Sequence, residues 1–206
     1  GQLDSTLYNG AYDRYSFGDC SGTLKGMKEN LEKFPDGIFR VPANYYLAEC
    51  AFNQEQDDVA KQAYEFVAAS GELSFRKQTV ERLASLYYAE QNFEKAFYYY
   101  EQVLGLVGNA DEGRRARLGL MRCAKSLGNT AVVMQYAESL LQDEALPTDW
   151  HTEALLNAAR SSYDLKDSAN AKLYYTQIKT AITGEAQAEA LLTAQDMSDK
   201  KFQHLE

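Results

Sequence analysis

The side chains best suited to catalysis or metal binding are few and scattered in this 206-residue chain. Its two histidines, His151 and His204, have no companions at metal-ligand spacing. The cysteines, Cys20, Cys50 and Cys123, form no C-x-x-C pair and read as small thiols buried inside helices. The sequence has no glycine loop that would cradle phosphate, no H-E-x-x-H and no G-x-S-x-G. Its acidic residues are spread along helix faces, as solvated surface is. The expectation is a protein that is no enzyme, needs no cofactor and binds no metal.

Recognition chemistry is better represented. The chain holds 15 tyrosines, and from Gly113 to Ala137 it carries Arg114, Arg115, Arg117, Arg122 and Lys125 with no acid. The net charge is −9, so the rest of the chain stands at −14. That balance argues against nucleic acid as a partner, because phosphate binding needs basic surface. Mean hydropathy is −0.48, and no apolar run approaches the ~20 residues of a membrane span. Three prolines and many Ala, Leu, Gln, Glu and Tyr predict an all-α chain. The opening Gly1-Gln2-Leu3, without an initiator Met, is expected of a segment cut from a longer precursor and leaves the compartment open.

The elements that position these residues follow from an internal repeat. Ala11, Ala48, Ala84, Met121 and Ala159 recur at steps of 37, 36, 37 and 38. Twelve residues after each stands Thr23, Ala60, Ala96, Val133 or Ala171, and four later Met27, Tyr64, Tyr100, Ala137 or Tyr175. A further apolar slot holds Val67, Val103, Leu140 and Ile178, with Asn30 as the exception. Each period holds two helices of about 13–15 residues and two short connections. Turn residues punctuate them, with Gly or Asn expected in the left-handed position and Asp or Asn capping the next helix, as in Phe17-Gly18-Asp19 and Leu127-Gly128-Asn129. Phe34-Pro35-Asp36-Gly37 and Leu146-Pro147-Thr148-Asp149 end units outright, since proline cannot continue a helix. Small residues at the crossings receive larger knobs, and a lone hairpin cannot bury its apolar face, so the units must stack. Cys50 and Cys123 fall two units apart; Cys20 and Cys50 could approach, yet no disulfide is expected.

The pattern Leu47-Ala48…Ala60…Tyr64, then Leu83-Ala84…Tyr87…Phe93…Ala96…Tyr100, with Pro35 closing a unit, resembles the tetratricopeptide repeat (TPR) family over about residues 4–183. The segment Leu31–Phe52 is similar to bacterial envelope members, among them the Tol-Pal-associated periplasmic coordinator, the barrel-assembly lipoprotein and Bacteroidetes-type repeat proteins. The resemblance implies a right-handed α-α superhelix in one domain over 1–206. Repeats are expected near 4–37, 41–72, 77–110, 114–147 and 152–183, with a terminal helix near 185–197.

First helices line the concave wall of such a stack. Helical phase puts Tyr8, Tyr12, Tyr15, Tyr45, Phe52, Tyr88 and Tyr163 there, with Arg115, Arg122 and Arg160 beside them. The competing reading of the aromatics is core packing, the part assigned to Tyr46, Tyr64, Tyr87, Tyr100 and Tyr175. For the arginines it is ion pairing of Arg160 with Asp164 or Glu153. Arginine can hold a carboxylate in a two-point fork, so the expected partner is an acidic or carboxylate-ended segment with an apolar residue beside it. The family's paired Lys and Asn clamp does not fit a wall of Tyr12, Tyr45, Glu49 and Tyr88. The resemblance thus implies a scaffold holding a protein or peptide in its groove, in the envelope or periplasm, with the cytoplasm as the other compartment. A glycan-binding module and a self-assembling structural repeat are the alternatives, and the sequence leaves the oligomeric state open.

Overall fold

The computed structural model describes residues 1–107 and 110–181. These form ten α-helices: α1 (Gln2–Ser16), α2 (Cys20–Lys33), α3 (Arg40–Asn53), α4 (Asp57–Ser70), α5 (Arg76–Ala89), α6 (Phe93–Gly105), α7 (Ala110–Ser126), α8 (Thr130–Leu141), α9 (Thr148–Asp164) and α10 (Ser168–Ala181). A 3-10 turn, Leu73–Phe75, precedes α5, and no strand occurs among the described residues. The all-α hairpin architecture expected from the repeat is therefore present. The terminal helix expected near 185–197 lies outside the described residues. The chain divides into two compact units, residues 1–106 with α1 to α6, and residues 107–206, which contain α7 to α10. In the first unit each helix packs on the next, and α1 also touches α3, so α1, α3 and α5 form one layer and α2, α4 and α6 the other.

The repeat slots become the core. Of the twenty slot positions, nineteen are buried, and only Tyr100 is half-buried, which fixes the register of all five hairpins. Met121 fits its small-residue slot with no exposure at all. Gly26 shows how tight a crossing is: a Cβ there would stand 2.6 Å from the Cβ of Ala11. Asn30, the polar exception, is 1% exposed and donates to the buried Asp4 carboxylate at 2.8 Å and to the Asp4 carbonyl at 3.2 Å. It therefore satisfies a buried acid of the facing helix in place of apolar contact.

One turn closes every hairpin. Gly18, Glu55, Gln91, Gly128 and Lys166 have left-handed φ of 79°, 58°, 62°, 72° and 58°. Each donates its N–H to the carbonyl three residues back at 2.9–3.1 Å, and the next residue donates five back at 2.8–2.9 Å. This is the Schellman arrangement, which satisfies the last carbonyls of the first helix. Three of the five left-handed residues are Glu, Gln and Lys, where Gly or Asn was expected. The paired backbone hydrogen bonds offset their ~1–2 kcal/mol conformational cost. Asp19, Asn92, Asn129 and Asp167 then accept from the N–H of Gly22, Lys95, Val132 and Asn170 at 2.9–3.3 Å, capping the second helices.

The cysteine expectation needs correction. Cys20 and Cys50 form a disulfide with a Cα–Cα separation of 5.0 Å, while Cys123 is a buried free thiol. The reason is the antiparallel path: Cys20 opens α2 and Cys50 lies late in α3, so the packing of α2 on α3 brings the two ends together. Burial pushes the Cys123 thiol up to about 11, which keeps it a poor nucleophile at neutral pH.

Enlarging a crossing residue is expected to be costly. Ala84→Leu or Ala96→Leu, at fully buried positions, should lose about 1–3 kcal/mol in denaturant melts, whereas Tyr98→Gln, at 57% exposure, should be nearly neutral. The bridge closes a loop of 30 residues. Its reduction should lower stability by about 3–4 kcal/mol on the chain-entropy model, and the intact mass should rise by two hydrogens on reduction. An unchanged mass would mean free thiols.

Candidate functional site

Apart from Tyr8 and Tyr45, the aromatic residues expected on the first helices fall into two recurring slots, and their surroundings differ between the units. One slot, one residue past the small crossing residue, holds Tyr12, Glu49, Ser85, Arg122 and Arg160. The other, three further on, holds Tyr15, Phe52, Tyr88, Lys125 and Tyr163.

In the first unit these slots feed a continuous aromatic run. Tyr8 stacks on Phe39 with centroids 4.3 Å apart, and Tyr45 stacks on Phe75 at the same distance. Tyr8 and Tyr45 are one repeat apart, as are Phe39 and Phe75, each of which immediately precedes the next first helix. The same contact is thus made twice, joining α1 to the start of α3 and α3 to the start of α5. Tyr46 ties the two stacks together, meeting Tyr12 at 5.0 Å, Tyr15 at 4.7 Å and Tyr45 at 5.2 Å. Tyr12, at 38% exposure, is the most open of these rings. The run therefore brings together Tyr12, Tyr15 and Tyr45 of the expected site. It adds Phe39, Tyr46 and Phe75, which sequence reasoning missed. The 36-residue spacing of Phe39 and Phe75 was the available signal. Tyr46, assigned to the core, is half-buried and belongs to this surface.

Phe52 and Tyr88 lie outside the run. The Arg82 guanidinium sits 4.2 Å from the centroid of Phe52, and Tyr88 meets Phe93 edge-on at 5.6 Å. Arg82 also approaches Glu49 at 3.7 Å, and its guanidinium lies 3.0–3.1 Å from the side-chain amide of Gln78. Glu49 is buried and accepts from the hydroxyl of Tyr64, which has no exposure. A carboxylate in an apolar setting needs such partners, and here α4 contributes Tyr64 and α5 contributes Arg82.

In the second unit the basic strip is partly internal. Arg114 pairs with Asp111 and Asp143. Arg122 on α7 holds Glu153 on α9 in a fork, with Nε to Oε1 and Nη2 to Oε2 both 2.7 Å. The ion-pairing alternative thus applies to Arg122, with Glu153 as the acid. Among the described residues, no carboxylate pairs with Arg160, which lies two turns along α9 from Glu153. Arg160 is close enough to Lys125 to add to the burial that holds its ammonium below the ordinary lysine range. Arg115 stands exposed, and Tyr163 is half-buried against the core of Leu155, Leu156, Ala159, Ala171, Tyr175 and Ile178. Among the described residues, no group of three or more His, Cys, Asp or Glu could hold a metal ion, and no helix is long and apolar enough to cross a membrane.

The tyrosines make folding sensitive to alkali. Burial, then the bond to Glu49, pushes the Tyr64 phenol well above its ordinary 10.0; burial, then nearby Tyr12 and Tyr8, pushes Tyr46 up to about 12. A raised folded-state value gives stability that is complete below pH 10 and lost as pH rises past it. The melting temperature is expected to fall steeply above pH 10. A Tyr64→Phe variant should show a shallower fall, measured by thermal melts between neutral pH and about pH 11.5.

Residues 153–181, most of α9 and α10, match the family model described as Tetratricopeptide repeat. No curated protein sequence matches the chain. A tetratricopeptide repeat protein from Parabacteroides merdae is similar in structure, with TM-score 0.60 and 16% identity, covering 98% of this chain and 77% of that one. YrrB, described as a TPR protein with an unusual peptide-binding site, gives TM-score 0.64 and 16% identity over 93% and 91% of the two chains. A TPR repeats protein from Bacteroides fragilis gives 0.50 and 13% over 98% and 97%. The chain carries a tetratricopeptide repeat at residues 153–181 and has the tetratricopeptide-repeat fold.

Proposed function

We propose that the chain is a non-catalytic scaffold that holds a segment of a partner protein on its first-helix face, in the bacterial envelope. The observation that carries this reading is the aromatic run of the first unit. Large rigid rings cost little conformational entropy to order and are enriched where binding energy concentrates. The ring set exceeds what the core of that unit needs, since Tyr64 and Tyr87 already fill the buried slots. YrrB, of similar fold, is described as having a peptide-binding site, which supports a peptide as the ligand class here. A glycan has less support: a sugar needs an open ring face, and the faces of Tyr8 and Tyr45 are covered by Phe39 and Phe75. The envelope assignment draws on the resemblance of Leu31–Phe52 to envelope repeat proteins and on the Cys20–Cys50 bridge, since disulfides persist in oxidising compartments.

In the second unit the carboxylate fork of Arg122 is engaged by Glu153, so Arg160, with Tyr163 nearby on α9, is the stronger candidate for an acidic partner group. The test is capture of a partner from Bacteroides envelope extract on the immobilised chain, followed by titration with the purified partner. Tyr12→Ala with Tyr45→Ala, and separately Arg160→Gln, should each weaken binding by about 10-fold with an unchanged melting temperature in the arginine variant. Equal affinity in both variants and wild type would overturn the proposed face.

A further inference from the structure

The other layer of the first unit contains a cleft that the scaffold reading does not use. It runs between α2 and α4, with the start of α3 as its floor, and encloses about 470 Å³. That volume falls within the ~300–1,000 Å³ of ligand sites. Leu31, Leu47, Val59 and Phe66 supply apolar wall and floor, and Leu31, Val59 and Phe66 remain half-exposed. Two cations, Lys28 and Arg40, line it, and no Asp or Glu does, in a chain of net charge −9.

The two kinds of lining are built together. The Arg40 guanidinium lies over the Phe66 ring, 4.5 Å from its centroid, so the charge is held against the apolar wall. Asn44, one turn on, donates its amide to the Arg40 carbonyl at 2.8 Å, which orients its side chain at the cleft floor. Arg40 has one acid nearby, Asp36 at 3.7 Å, whose side chain is 95% exposed. A pair that solvated contributes little and can be exchanged for a ligand carboxylate. Gln62 on α4 offers a second amide, so the cleft presents donors and acceptors suited to a peptide backbone beside its cations.

We propose that this cleft is a second binding site, for a peptide carboxylate flanked by an apolar side chain. The carboxylate meets Arg40 and Lys28, and the apolar side chain lies against Phe66 and Leu47. The charge complementarity selects an anionic peptide group over a neutral or cationic one, because the lining holds no counter-charge of its own.

The smallest probe with this chemistry is N-acetylphenylalanine, and its neutral control is N-acetylphenylalanine amide. Both are titrated into the full ¹⁵N-labelled chain, with backbone amide shifts as the readout. The acid should move Asn44, Gln62 and Phe66 saturably, with a dissociation constant on the order of 1 mM. The amide should bind at least about five-fold more weakly, as should the acid to Arg40→Gln. Lys28→Gln, at an exposed position, supplies a second charge-removal variant with no burden on folding and should also weaken binding. Tyr12→Ala should leave the titration unchanged, so the outcome is independent of the first-helix face. Equal shifts with acid and amide, no shift in the cleft at concentrations on the order of 20 mM, or the same shifts on raising protein concentration alone, the mark of a second copy, would each overturn the proposal.

Discussion

Every hairpin depends on the close crossing of its two helices. A helix pair of this length has an apolar stripe too wide for one partner to cover, and it can approach its neighbour only where side chains are small. Ala48, Ala60, Ala84, Ala96, Ala159 and Ala171 are fully buried for that reason, and the rings of Tyr64 and Tyr175 fill the space the alanines leave. The Schellman turns at residues 18, 55, 91, 128 and 166 then end each first helix with the same pair of backbone hydrogen bonds. Identical closure explains why the period stays within 36–38 residues although the sequences of the units differ.

With backbone geometry repeated, functional difference is left to the slots beside the crossing residues. The position one residue past the crossing is Tyr in the first hairpin, Glu in the second, and Arg in the fourth and fifth. The same backbone site therefore contributes to an aromatic surface, a buried acid bonded to Tyr64, and one side of an ion pair. The two carboxylates that enter the interior of the first unit are answered individually. Asp4 meets Asn30, and Glu49 meets Tyr64 and Arg82, because an unpartnered buried carboxylate would cost several kcal/mol.

The first two hairpins are joined more firmly than slot packing requires. The Cys20–Cys50 bridge links α2 to the end of α3, while Tyr8 on Phe39 links α1 to its start. Both contacts flank Tyr12, Tyr15 and Tyr46, so the rings offered to a partner rest on a braced support. Rigid presentation favours binding, because less ordering entropy is lost when the partner arrives.

Periodicity by itself determined the helices of the five hairpins, the places of the turns within them and the repeat slots at the centre of the core, because a 3.6-residue stripe and a 37-residue recurrence report which side of each helix is buried. It also marked Tyr12, Tyr15 and Tyr45 as surface rings, since the core slots were already filled. It misplaced Tyr46, whose phase borders the buried stripe, so that its exposure turned on how closely α1 approaches α3. The partners of charged and sulfur groups were decided only in three dimensions. Arg122 found Glu153 31 residues away, and Cys20 found Cys50 30 residues away. Helical phase states the direction a side chain leaves its own helix, but a hydrogen bond or disulfide needs two groups placed to within about half an ångström. That precision comes from the crossing of one helix on the next, which no single helix encodes.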